Sequence, residues 1–226
     1  MYISIYDDTM NKFDLAIFER LKTQEGKVTV RAWRQRCIIR ILAESPDPAD
    51  RTRIGLAKNM AQINNLRWQT VYPGIFNDID NIMKPLDLVR ESGRLPTKRG
   101  PKAVQEQGSP YYELTKKGIM VALSVREVTM RESLVRQILA DDDVVNKESM
   151  SLLVGTPLLF GYMMERYVEA WCEQKIDLLP LDLKKLSRLK DETLLICNDL
   201  LKNFTKLEYA QRKNIRKLLD NIVYRE

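Results

Sequence analysis

The chain of 226 residues carries 37 Lys and Arg against 31 Asp and Glu, a net charge of +6, with 44% hydrophobic and 30% charged residues. That length suits one domain with a full core or two small ones, and the composition is that of a soluble globular protein. No apolar run approaches the roughly 20 residues needed to span a bilayer, and Asp7 and Asp8 at the start argue against a secretory signal, so no membrane contact is expected.

The first thirty residues predict a short amphipathic helix through Phe13, Ile17, Phe18 and Leu21, followed by Gly26 and the β-prone Val28-Thr29-Val30. Such a helix is marginal alone and must pack on something larger. Trp33 to Ser45 predicts a helix with Cys37, Ile38, Ile41 and Leu42 on one face, ended by Pro46 and Pro48. Thr52 is placed to cap the next helix, in which Ile54, Leu56, Ala57, Met60 and Ile63 lie mostly on one side before Asn64-Asn65 turns the chain. The third helix is predicted to start from Thr70 as its cap, with Pro73 in the first turn and Ile75, Ile79, Ile82, Met83 and Leu86 as the buried stripe. Its other side carries Gln69, Thr70, Pro73, Asn77, Asn81 and Lys84.

Leu88 to Glu91 and Tyr111 to Leu114 then read as two short strands, joined by a basic loop with Arg94, Lys98, Arg99 and Lys102 among glycines and prolines. This order of elements, with Thr70-Val71-Tyr72-Pro73, Leu86-Asp87-Leu88-Val89 and the closing Leu114-Thr115-Lys116-Lys117-Gly118, resembles the winged-helix transcription regulators, and the PadR type most. The resemblance covers roughly residues 33 to 125. It implies a third helix in the major groove, a wing along the backbone or minor groove, and added helices that dimerise. Two departures are a long wing and the acidic Asp78 and Asp80 on the third helix.

Beyond Lys117, one helix is predicted to about Ala140, with Asp141-Asp142-Asp143 as a solvated loop rather than a metal site. Residues 149–176, rich in Leu, Met and aromatic side chains, suit either the central helix of a bundle or the lining of a pocket for a small hydrophobic effector. Asp182 to Asn203 and Leu207 to Tyr224 predict two final helices. The first has a double apolar row, through Leu186, Leu189, Ile196 and Leu200 and through Leu194, Cys197, Leu201 and Phe204, suited to packing within a bundle and across a dimer.

The charge is uneven. Residues 31–126 hold 17 Lys and Arg against 9 Asp and Glu, whereas the segments before and after are each at −1. A basic excess confined to the winged-helix region is the footprint expected of a DNA-binding domain. The absence of histidine removes the commonest general base and metal ligand, and Cys37, Cys172 and Cys197 lie too far apart in sequence for a zinc motif. The expectation is therefore a non-enzymatic protein without metal or cofactor, cytoplasmic and nucleoid-associated, that binds double-stranded DNA as a homodimer through its C-terminal helices. The expected fold is mainly α with a small β-hairpin wing: an arm over 1–30, a winged helix-turn-helix over 31–126, and a helical dimerisation or effector domain over 127–226. Gln69, Thr70, Tyr72 and Asn77 are the candidate base-edge contacts. Arg53, Arg67, Lys84, Arg94, Lys98, Arg99 and Lys102 are the candidates for the phosphate backbone. The competing expectations are a winged-helix protein-docking module, for which Asp78 and Asp80 would suit a basic partner, and a replication or partition initiator.

Overall fold

The computed structural model describes residues 14–22, 26–96, 108–140, 144–145 and 147–223. The chain forms two compact units, Met1–Leu183 and Lys184–Glu226. Among the described residues it is mostly α-helical with one antiparallel hairpin, an architecture compatible with a winged-helix fold. Among the described residues no helix is long and apolar enough to cross a membrane.

In the first unit, α1 (Val30–Glu44) is capped by Thr29, whose hydroxyl accepts from the Ala32 N–H at 3.1 Å, and it ends at Ser45, held extended before Pro46. Ile38 and Leu42 are buried as the periodicity requires, while Cys37 and Ile41 are half-buried. α2 (Arg53–Ile63) is capped by Thr52 as predicted, with the Gly55 N–H donating at 2.9 Å. Leu56, Ala57 and Met60 are in the core, but Ile54 and Ile63 at the two ends of the helix are exposed. Asn65, at φ 53°, makes the left-handed turn into α3.

Two expectations are corrected before the hairpin. Residues 14–22 are irregular, not helical; Leu15, Ala16 and Ile17 are buried in succession. Side chains of α1 satisfy the backbone that a helix would have satisfied itself: Gln35 Oε1 accepts from the Ala16 N–H at 2.7 Å, Arg36 donates to the Ile17 carbonyl at 2.6 Å and Arg31 to the Asp14 carbonyl at 2.7 Å. Phe13 lies outside the described residues.

The second correction concerns α3 (Trp68–Asn77), which begins before Thr70, with Arg67 at the cap position and no side-chain cap. Trp68 packs edge-to-face on Tyr72, centroids 6.0 Å apart, and so secures a first turn that lacks a capping group. Pro73 therefore sits inside the helix, where the Gln69 carbonyl has no N–H to accept from four residues on. From Asp78 to Met83 the helix widens into a π-turn, in which the Lys84 N–H reaches back to the Ile79 carbonyl at 2.9 Å. Asp78, Ile79, Ile82 and Met83 are all buried, and Leu86 is half-buried.

β1 (Val89–Leu95) pairs with β2 (Ser109–Leu114), both longer than predicted because they pair beyond the apolar runs, with one irregularity between Glu91 and Gly93. The closing motif has a physical basis. Thr115 donates its backbone N–H to the Leu88 carbonyl at 3.0 Å and its hydroxyl to the Asp87 carbonyl at 2.5 Å, and its hydroxyl oxygen caps the Gly118 N–H at 3.2 Å. A Cβ on Gly118 would stand 2.0 Å from the Leu88 carbonyl oxygen, so glycine lets α4 (Lys116–Ser124) seat against the start of β1.

The single helix expected to Ala140 is broken: α4 ends at Ser124 and α5 (Arg131–Leu139) begins after a turn in which Val125 and Val128 are buried and the other four residues are exposed. The apolar run through Val125 and Val128 continues, both being 1% exposed, but the turn is fixed from outside the segment. Arg126 pairs with buried Glu165 at 2.9 Å, and Glu44 accepts from the Thr129 N–H and hydroxyl at 2.5 and 2.7 Å. α6 (Lys147–Val154) and α7 (Pro157–Cys172) follow; Phe160, Met164, Tyr167 and Val168 of α7 are core side chains, and α7 packs against α4. Asp141-Asp142-Asp143 lies outside the described residues.

The helix expected from Asp182 is a 3-10 turn over Leu183–Leu189, nearly all of it in the second unit, followed by α8 (Glu192–Lys206), capped by Asp191, which accepts from the Leu194 N–H at 3.0 Å. α9 runs from Tyr209 to Val223. No residue of α8 is buried, and Leu195, Ile196, Leu200 and Leu201 are each more than half exposed.

Candidate nucleic-acid interface

The outward side of α3 and its π-turn carries Gln69, Thr70, Pro73, Phe76, Asn77 and Asn81, all exposed, with Arg67 exposed at the start. Tyr72 is half-buried under Trp68. Asn77 is steadied by its neighbour one turn on, since Asn81 Nδ2 donates to Asn77 Oδ1 at 2.8 Å. Of the candidate base-edge residues, Gln69, Thr70 and Asn77 therefore share one surface.

The two acidic residues of this segment face the other way. Asp78 is fully buried: Arg34 Nε donates to Oδ2 at 2.5 Å and Gln35 Nε2 to Oδ1 at 3.1 Å. Gln35 is itself fully buried and holds Ala16, so one polar chain links the N-terminal segment, α1 and α3. Arg34 reaches Asp78 across Gly74, where a Cβ would stand 2.6 Å from the guanidinium. Asp80 is mostly buried and lies between two cations, Arg53 at 2.6 Å and Lys84 at 2.9 Å.

Arg53 and Lys84 thus have a structural task beside any ligand. Both flank the ring of Tyr112, at 5.4 and 5.0 Å, and Arg53 also lies 4.9 Å from the centroid of Phe76. Tyr112 itself is fully buried, and burial pushes its phenol up to about 12 against the pull of Arg53. The cluster fastens α2, α3 and β2 to one another and keeps a net charge of +1, two cations around one carboxylate.

On the hairpin, Arg90 pairs with Glu113 and Arg94 with Glu91, each at 2.6 Å. The Ser92 hydroxyl and Arg90 hold the Glu113 carboxyl below its ordinary range. Arg94 is the one described member of the loop cations; Lys98, Arg99 and Lys102 lie outside the described residues. On the opposite side of α2, a groove of about 500 Å³ includes Cys37, Ile41 and Ile63, and burial pushes the Cys37 thiol up to about 11, which favours its protonated form.

Phe76 is the surface residue that sequence reasoning missed. Its position three residues after Pro73 and seven after Gln69 places it on the outward face of a helix, which was the available signal. The partners of Asp78 had no such signal, because Arg34 lies 44 residues away in sequence. In comparisons with known proteins, no family model, no curated protein and no solved structure matches this chain.

Proposed function

We propose that the chain is a sequence-specific double-stranded DNA-binding protein, a transcription regulator of PadR-like winged-helix type, with α3 in the major groove and the hairpin as the wing on the backbone or minor groove. The observation that supports this reading best is the outward face of α3: polar and apolar groups suited to base edges, with both nearby carboxylates turned inward and neutralised. That arrangement also removes the reason for preferring a basic protein partner, since Asp78 and Asp80 are already paired. Arg67 and the loop cations Arg94, Lys98, Arg99 and Lys102 hold phosphates, and Arg53 and Lys84 add the residual charge of their cluster.

The working unit is a homodimer joined through α8 and α9. Leu195, Ile196, Leu200, Leu201, Ile215 and Leu218 are 38–64% exposed. Two copies would engage half-sites about one helical turn apart.

Fluorescence anisotropy against duplex DNA over a range of salt tests the reading. Binding should weaken as salt rises, and replacing Arg94, Lys98, Arg99 and Lys102 with Ala should flatten the slope of log K against log salt by about 0.9 for each phosphate that is no longer neutralised. Absence of binding to any duplex at low salt would refute it.

A further inference from the structure

Phe76 is a large apolar side chain, 48% exposed, on a face otherwise made of amides, a hydroxyl and a proline. Its ring is also braced. The Arg53 guanidinium lies 4.9 Å from the ring centroid and is itself clamped by Asp80 at 2.6 Å. A braced ring loses little side-chain freedom when it is covered, so its burial against a ligand is not offset by ordering. Next to it stands Asn77, its amide oriented by Asn81, and one turn earlier Pro73 extends the apolar strip.

An apolar patch beside an oriented amide is complementary to an A·T pair in the major groove. Thymine presents a 5-methyl group there, and adenine presents the N6 donor and N7 acceptor that an asparagine amide can pair. We infer that Phe76 is a specificity-determining residue that reads the 5-methyl group of a thymine, with Asn77 on a neighbouring or paired purine. The inference rests on the DNA-binding reading above and adds to it the base feature that is recognised.

The test uses the full chain and a preferred duplex selected from a randomised pool. Each thymidine in that duplex is replaced in turn by deoxyuridine, which lacks only the methyl group, and affinity is read by anisotropy. At one position the wild-type protein should lose about fourfold in affinity, the effect of burying one methyl group. Phe76→Ala should bind the thymidine and deoxyuridine forms equally, and Phe76→Leu should retain the preference. Far-UV circular dichroism should show both variants folded, and the readout is the ratio of thymidine to deoxyuridine affinity within each variant, which a general loss of affinity or stability does not move. Equal binding of thymidine and deoxyuridine forms by the wild type at every position, or a preference that survives in Phe76→Ala, overturns the inference and leaves the DNA-binding reading standing. Failure to bind any duplex overturns both.

Discussion

Replacing Gly118 with Ala tests the account of the closing motif through one atom. The added Cβ would meet the Leu88 carbonyl oxygen at 2.0 Å, and that oxygen belongs to backbone, so α4 and the start of β1 must separate by about 1 Å or more. Separation on that scale breaks the Thr115 N–H bond to Leu88, now 3.0 Å, and disturbs the cap on Gly118 at 3.2 Å. One broken hydrogen bond and a weakened cap cost about 1 kcal/mol each, and the forced repacking about 1–3 kcal/mol. Alanine's better helix propensity returns less than ~1 kcal/mol. The net destabilisation is then about 2–4 kcal/mol, a fall in melting temperature of roughly 10 °C for a unit of this size. The control is Gly161→Ala in α7, where the nearest atom to the new Cβ is Arg131 Nη1 at 3.8 Å; relief of glycine's helix penalty should stabilise by about 0.5–1 kcal/mol. Far-UV circular dichroism of both variants during heating and in urea gives the comparison. A Gly118→Ala protein melting within about 2 °C of wild type, or both variants shifting in the same direction, would refute the steric argument.

Asp78→Ala should cost about 3–5 kcal/mol in urea unfolding, because Arg34 and Gln35 lose their buried acceptor, and Asp78→Asn should cost less by keeping the shape and one acceptor oxygen. On the preferred duplex, Gln69→Ala and Asn77→Ala should each lose about 1–3 kcal/mol and relax selectivity at one position; variants with full discrimination would mean that α3 docks differently. Sedimentation should give a dimer at micromolar concentration, and Ile196→Asp with Leu200→Asp should give monomers. A wild-type monomer, with or without DNA, would remove the dimer while leaving the proposed interface in place.

The parts of the fold that were legible from sequence are those whose information is local. The stripes of α1 and α2, the Thr52 cap and the two strands follow from helical and alternating periods, and Ile38, Leu42, Leu56 and Met60 are buried accordingly. What was illegible is set by partners distant in sequence. Residues 14–22 have helical spacing, but Asp14, Ala16 and Ile17 find their partners in the side chains of Arg31, Gln35 and Arg36. The apolar drift of residues 121–139 hid a break that Glu44 and Glu165 stabilise from other helices. On the candidate surface, Gln69, Thr70 and Asn77 were readable from helical spacing. Asp78 follows the helical spacing of buried Val71 and Ile75, but its partner Arg34 and the space left by Gly74 for that guanidinium carry no sequence period.

The internal neutralisation of Asp78 and Asp80 leaves the exposed face of α3 without a formal charge between Arg67 and Lys84. In the proposed complex, capture and choice would then fall to different surfaces: cations on the hairpin and around α3 draw in any duplex from a distance, and an uncharged face compares sequences at close range. Ionic strength screens the first and hardly touches the second. Absolute affinity should therefore fall steeply with added salt, while the ratio of affinities for two competing sequences stays constant across the same titration.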